Sequence, residues 1–185
     1  MGVSGCGKSF IGQKLANQLN FAFADGDDFH SDHNKQKMAN GTPLNDQDRL
    51  SWLNQLRDLL SNIQKPTILA CSALKKSYRE ILCDHSHDTI LIHLAGSQKV
   101  LHDRLVTRKD HFFNPSLLHD QLTTLEALQP DEKGFSIKIE QNWEKIIAEI
   151  EVTGFKRESN SNAITSVETS KGIIECEQII VAVGP

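Results

Sequence analysis

Hydrophobic and polar positions along this chain switch repeatedly between helical and strand periods. Ile11, Leu15, Ala16 and Leu19 recur at helical spacing and give the segment after Lys8 one buried face. Phe21 to Ala24 is a short apolar run that reads as a strand, closed by the acidic stretch Asp25, Gly26, Asp27, Asp28. Residues 30–38 are polar and read as helix, and Asn40-Gly41-Thr42-Pro43 marks a turn. A longer helix begins at Leu44 to Asp46, capped by Asn45 or Asp46, and carries Leu50, Leu53, Leu56, Leu59, Leu60 and Ile63. The runs 67–72 and 89–94 read as buried strands, with a basic helix through Lys75, Lys76, Tyr78 and Arg79 between them. A helix from about Gln98 to Arg108 turns Val100, Leu101 and Leu105 inward. A loop over 109–115, a helix over 117–128, a strand over 136–140 and an amphipathic helix over 143–150 follow. This alternation predicts an α/β fold, a parallel sheet with helices on both faces.

From about Glu151 the pattern changes. Residues 157–163 are a polar linker, and 164–169, 170–172 and 173 onward read as strand, turn, strand. The chain therefore divides into a domain over 1–150 and a β-hairpin tail over 151–185.

Composition narrows the function classes. The formal charge is −4 and the Lys and Arg residues are scattered, so nothing points to nucleic acid. No apolar run is long enough to span a membrane. Cys6, Cys71, Cys83 and Cys176 are isolated, without a C-x-x-C pair, and read as reduced thiols of a cytoplasmic protein. The histidines show no zinc spacing.

The chemistry concentrates at the start. Gly2-Val3-Ser4-Gly5-Cys6-Gly7-Lys8-Ser9 fits G-x-x-x-x-G-K-[ST], the phosphate-binding loop of nucleotide enzymes. Its glycines let successive N–H groups surround a polyphosphate, Lys8 reaches the β- and γ-phosphates, and Ser9 suits Mg²⁺. The helix that follows adds its positive N-terminal end. Asp25 and Asp27, two apart at a strand end, can face one crevice, one serving the metal's water shell and the other a hydroxyl proton. The alternative for both is a solvated acidic turn. Arg49 and Arg79 are able to grip a carboxylate bidentately, though each taken alone is more often a surface charge. Arg104, Arg108 and His111 flank the 109–115 loop, as expected of a lid over a nucleotide, with a solvated helix end as the alternative.

Four stretches carry a resemblance. Asp25 to His30, Asn34 through Lys37-Met38 to Arg49 and Trp52, Ala70 to Arg79, and Arg104 to His111-Phe112 resemble the P-loop gluconokinases over about residues 1–150. The resemblance implies transfer of the ATP γ-phosphate to the 6-hydroxyl of D-gluconate with Mg²⁺. It also implies a nucleoside-kinase-like fold with a lid, commonly dimeric. Carried over, Lys8, Asp27 and Arg79 are catalytic, and Gly2 to Phe10 with Arg104 and Arg108 hold the nucleotide. Asp27, His30, Arg49, Arg79, His111 and Gln121 line the gluconate site, and Ser9 and Asp25 attend the metal. Three positions depart from the family pattern: Phe10 for the usual Thr, Ser51 for Pro, and Asp120 for Ser. The tail resembles a hairpin fragment of an FAD-dependent oxidoreductase without its G-x-G-x-x-G, so FAD binding is not expected.

One feature runs against the fold. A phosphate loop normally follows a buried central strand, and here only Met1 precedes Gly2. About five apolar side chains would be missing, on the order of 10 kcal/mol of burial at roughly 1.5–3 kcal/mol each. The expectation is a sheet lacking its first strand and a loosely held tail hairpin. The alternative is that the apolar run starting at Ile179 enters the vacant position, provided its connection delivers it in the right direction.

Overall fold

A computed structural model describes residues 1–62, 64–83, 89–107, 115–152, 155–157, 164–169, 172–175 and 178–180. The elements in chain order are α1 (Lys8–Leu19), β1 (Ala22–Asp25), α2 (Asp32–Ala39), α3 (Asp46–Ser61), β2 (Thr67–Ala70), α4 (Lys76–Leu82) and β3 (Thr89–Ala95). Then come α5 (Gln98–Thr107), α6 (Pro115–Thr124), β4 (Gly134–Lys138), α7 (Trp143–Val152), β5 (Phe155–Arg157), β6 (Ile164–Thr169), β7 (Gly172–Glu175) and β8 (Gln178–Ile180).

The main sheet has the order β1-β2-β8-β3-β4, and every pair in it is parallel. Its strands alternate sides. Ile68, Ala70, Ile90, Ile92 and Leu94 face a core shared with Ile11 and Leu15 of α1 and Ile146 and Ile150 of α7. Leu69, Cys71 and Leu91 face the opposite core, with Trp52, Leu53 and Leu56 of α3 and Leu82 of α4. A sheet buried on both faces needs near-continuous apolar strands, which is why these runs carry no polar alternation.

The centre of the sheet corrects the expected gap. β8 lies between β2 and β3, with Ile179 opposite both Ile68 and Ile90. The tail's last described strand thus fills the slot instead of staying outside the main sheet. Just beyond β8, Met1 continues along β3. Its amine donates to the Ile92 carbonyl, and its own carbonyl accepts from Leu94 N–H at 2.7 Å. Gly2 N–H reaches the Ser72 carbonyl at 3.4 Å, so the glycine-rich loop leaves the sheet between the C-terminal ends of β2 and β3. β6 and β7 form the expected antiparallel hairpin, and β5 adds a third strand to that separate sheet.

Helix starts follow local chemistry. The Asn45 side chain accepts from Asp48 N–H at 2.8 Å and Asp48 returns the bond to Asn45 N–H at 3.0 Å, closing a capping box at α3. α6 stops at Thr124, four residues short of the expected Leu128. Glu126 N–H donates to the Leu74 carbonyl, and the Glu126 and Ala127 carbonyls accept from Arg79, so these groups are spent on neighbours instead of on a further helical turn. Ile63 and the loop residues 109–114 lie outside the described residues. Among the described residues, no helix is long and apolar enough to cross a membrane.

Candidate active site

The glycine-rich loop wraps the start of α1. Gly5 and Gly7 sit at φ 82° and 89°, in the left-handed region that favours glycine. A Cβ on Gly5 would also meet Leu105 Cγ at 2.9 Å. Lys8 is buried, and its ammonium donates to the Val3 carbonyl at 2.9 Å. Burial pulls its pKa down, while Cys6 and Asp27 act in the opposite direction. The next amide along, Ser4 N–H, donates to Gln121 Oε1 at 2.7 Å. Arg104 joins the loop to the β4–α7 connection, with one guanidinium nitrogen 3.5 Å from the Cys6 carbonyl and another 2.7 Å from the Ile139 carbonyl. Ser9 is exposed at the mouth of the loop. The Phe10 ring points outward instead, edge-on to Trp143 at 5.8 Å, with Lys14 over both rings.

Beyond β1 the chain makes a short 3-10 turn, Gly26–Phe29, which its composition did not announce. Asp25 caps that turn by accepting from Asp27 N–H at 3.1 Å. Asp27 Oδ1 is buried without a hydrogen-bond partner. Burial, reinforced by the neighbouring Asp25 charge, pushes the Asp27 carboxyl up to about 6 against the pull of Lys8 and Arg49. The turn is held from behind by Trp52, whose indole N–H donates to the Gly26 carbonyl at 2.7 Å. His30 stacks on the same indole at 4.3 Å between ring centroids. Both imidazole nitrogens of His30 are buried and unpartnered, and burial with the Arg49 charge lowers its pKa to about 4. His30 is therefore neutral at physiological pH, with one donor and one acceptor to offer.

Arg49 stands in the first turn of α3, its Nε donating to the Leu44 carbonyl at 3.3 Å and its guanidinium 6.0 Å from the Tyr78 ring centroid. Its charge acts on both Asp27 and His30. Among the described residues, Ser4 Oγ and Ser72 Oγ join Asp27 Oδ1 and both His30 ring nitrogens as buried polar atoms without a hydrogen-bond partner. Buried polar groups are normally satisfied, so five such atoms on the phosphate loop, just after β2 and in the turn after β1 point to a polar ligand.

Of the residues singled out in the sequence, Lys8, Asp25, Asp27, His30 and Arg49 gather at the C-terminal ends of β1 and β2 and the loop beside them. Arg79 does not join them as a free cation. It is 1 % exposed, paired with Glu132 through Nε at 2.5 Å and Nη2 at 2.8 Å, and donates to the carbonyls of Ala73, Leu74, Glu126 and Ala127. Its guanidinium is spent on holding the 126–132 segment to α4. Gln121 reaches the phosphate loop with its carbonyl oxygen. Arg108 and His111 lie outside the described residues. Sequence reading gave no role to Trp52 or Ser72. The polar residue closing the otherwise apolar run 68–72 is the available signal for Ser72.

A parallel sheet with a phosphate loop at its centre and a carboxylate crevice at the next strand end defines a P-loop kinase. The shikimate kinase family model matches residues 4–146. A probable gluconokinase of Xenopus tropicalis is 41% identical over 169 residues, covering 82% of this chain and 89% of the relative. The thermoresistant gluconokinase of Escherichia coli (strain K12) is 43% identical over 152 residues, covering 80% and 87%. The crystal structure of a gluconokinase from Sinorhizobium meliloti 1021 superposes with a TM-score of 0.71 at 36% identity, covering 80% and 85%. The chain belongs to the gluconokinase family.

Proposed function

We propose that this protein transfers the γ-phosphate of ATP to the 6-hydroxyl of D-gluconate, giving 6-phospho-D-gluconate and ADP. The observation that carries the reading is Asp27: a half-buried carboxylate whose Oδ1 is buried without a partner among the described residues, close enough to Lys8 and Arg49 to feel both charges. At neutral pH it is ionised, and its raised proton affinity suits it to take the proton of an acceptor hydroxyl. As that O–H bond breaks, the oxygen bonds to the γ-phosphorus and the bond to the bridging oxygen of ADP breaks.

Lys8 and the loop amides answer the charge on the transferring group, and the N-terminal end of α1 adds to it. Mg²⁺, held through Ser9 with Asp25 beside it, would neutralise phosphate charge. Among the described residues, Arg49 is a cation available for the gluconate carboxylate, and neutral His30 can hydrogen-bond a sugar hydroxyl without adding charge. Arg104 takes the nucleotide side.

The match to the shikimate kinase family favours one further acceptor worth testing, since shikimate is also a hydroxy acid. ADP release measured with gluconate, shikimate and glucose separates the readings. Turnover confined to gluconate is expected. Turnover with shikimate and none with gluconate would move the acceptor assignment, and turnover with none of the three would remove it.

A further inference from the structure

One peptide unit in the phosphate loop is gripped from both sides. The carbonyl of Val3 accepts from Lys8 Nζ at 2.9 Å, and the N–H of Ser4, the other half of the same peptide plane, donates to Gln121 Oε1 at 2.7 Å. A trans peptide is planar, with its N–H and C=O pointing in opposite directions, so fixing one fixes the other. Gln121 is 9% exposed and comes from α6, 117 residues further along the chain.

We infer that Gln121 is a positioning residue for Lys8: by holding Ser4 N–H it turns the Val3 carbonyl toward the ammonium and aims that ammonium at the nucleotide phosphates. This rests on the kinase reading above and moves Gln121 from the acceptor side to the nucleotide side. Without the glutamine oxygen the peptide loses its hold on the N–H side and keeps, besides Lys8, only the long bond from Cys6 N–H to the Val3 carbonyl at 3.4 Å, so the acceptor that orients Lys8 is fixed less tightly. Its buried charge is then less well placed, and nucleotide binding suffers before gluconate binding does.

The test uses Gln121→Met, which keeps the length and removes the acceptor, and Gln121→Asn, which keeps a buried amide but shortens its reach by one methylene. Both are compared with the unaltered protein for the dissociation constant of Mg·ADP without gluconate, for KM of gluconate at saturating ATP, and for the Ser4 amide shift by NMR. The expected result is Mg·ADP binding weakened roughly 3- to 10-fold, the worth of one hydrogen bond. The Ser4 amide moves upfield, and KM for gluconate stays within about twofold, a small change on that same scale. Unchanged Mg·ADP affinity with a raised gluconate KM, in either folded variant, would overturn the inference and return Gln121 to the acceptor site. Failure of the unaltered protein to bind Mg·ADP would sink the nucleotide reading itself.

Discussion

Asp27→Asn removes a single charge from the crevice and sets activity against stability in a way that can be calculated. The wild-type carboxyl titrates at about 6 in place of 3.8, because burial and the Asp25 charge outweigh Lys8 and Arg49. Between those two values the folded protein holds a proton that the unfolded chain has released. Stability contributed by this group is therefore greatest below the ordinary value and is lost as pH rises through about 6. At about 1.36 kcal/mol per pH unit, the ionised carboxylate costs the fold about 3 kcal/mol at neutral pH, an upper figure for a group that water partly reaches. Asparagine has nearly the same shape and no charge. The variant should be more stable by about 1–3 kcal/mol at pH 7.5, or about 2–4 °C in Tm for each kcal/mol in a chain of this size. The advantage should vanish near pH 4. Gluconate-dependent ADP release should fall by roughly 100- to 10,000-fold, the usual worth of a general base. Thermal melts at pH 7.5 and pH 4, run beside the activity assay, check both halves. A variant less stable than wild type at pH 7.5, or one whose gain does not depend on pH, would refute the electrostatic argument.

Three other outcomes are expected. His30 has its pKa lowered to about 4, so it adds no limb to the pH–rate profile between pH 5 and 8, and the acid limb should fall near 6 with Asp27; a limb lost in His30→Gln would contradict this. Arg79→Met takes the guanidinium from Glu132, leaving its carboxylate the Gln129 N–H, and frees four carbonyls, so it should lower stability by about 2–4 kcal/mol in urea melts, toward the cost of a broken buried pair. A folded Arg79→Met protein whose main defect is a raised gluconate KM would instead restore Arg79 to the substrate site. Ending the chain after Val152 removes β8 and leaves inner backbone groups of β2 and β3 unpaired, at about 1–3 kcal/mol each, so cooperative melting should be lost; an equally stable truncated protein would show that β8 contributes nothing.

What could be read from the sequence was local. The phosphate loop carries its identity in eight adjacent residues, and Asp25 and Asp27 announce themselves by following an apolar run. Arg79 looked like a ligand because its partners, Glu132 and the 126–127 carbonyls, lie some fifty residues away, where no local pattern reveals them. The same holds for Gln121 and Ser4. The helix over 117–128 was read too long because the periodicity of Leu125 and Leu128 says nothing about Arg79 competing for the carbonyls between them. β8 was hardest to place. A parallel strand is paired only through distant residues, here Ile68 and Ile90, and its own apolar run fits an exposed hairpin equally well.

The most direct test of the central claim is ³¹P and ¹³C NMR of the product formed from gluconate and Mg·ATP by the unaltered chain, with Asp27→Asn as control. The account predicts one new phosphomonoester on C6 of gluconate, formed with equimolar ADP and absent with the variant. Phosphate on another carbon, ATP hydrolysis without a sugar ester, or an undiminished Asp27→Asn reaction would contradict it.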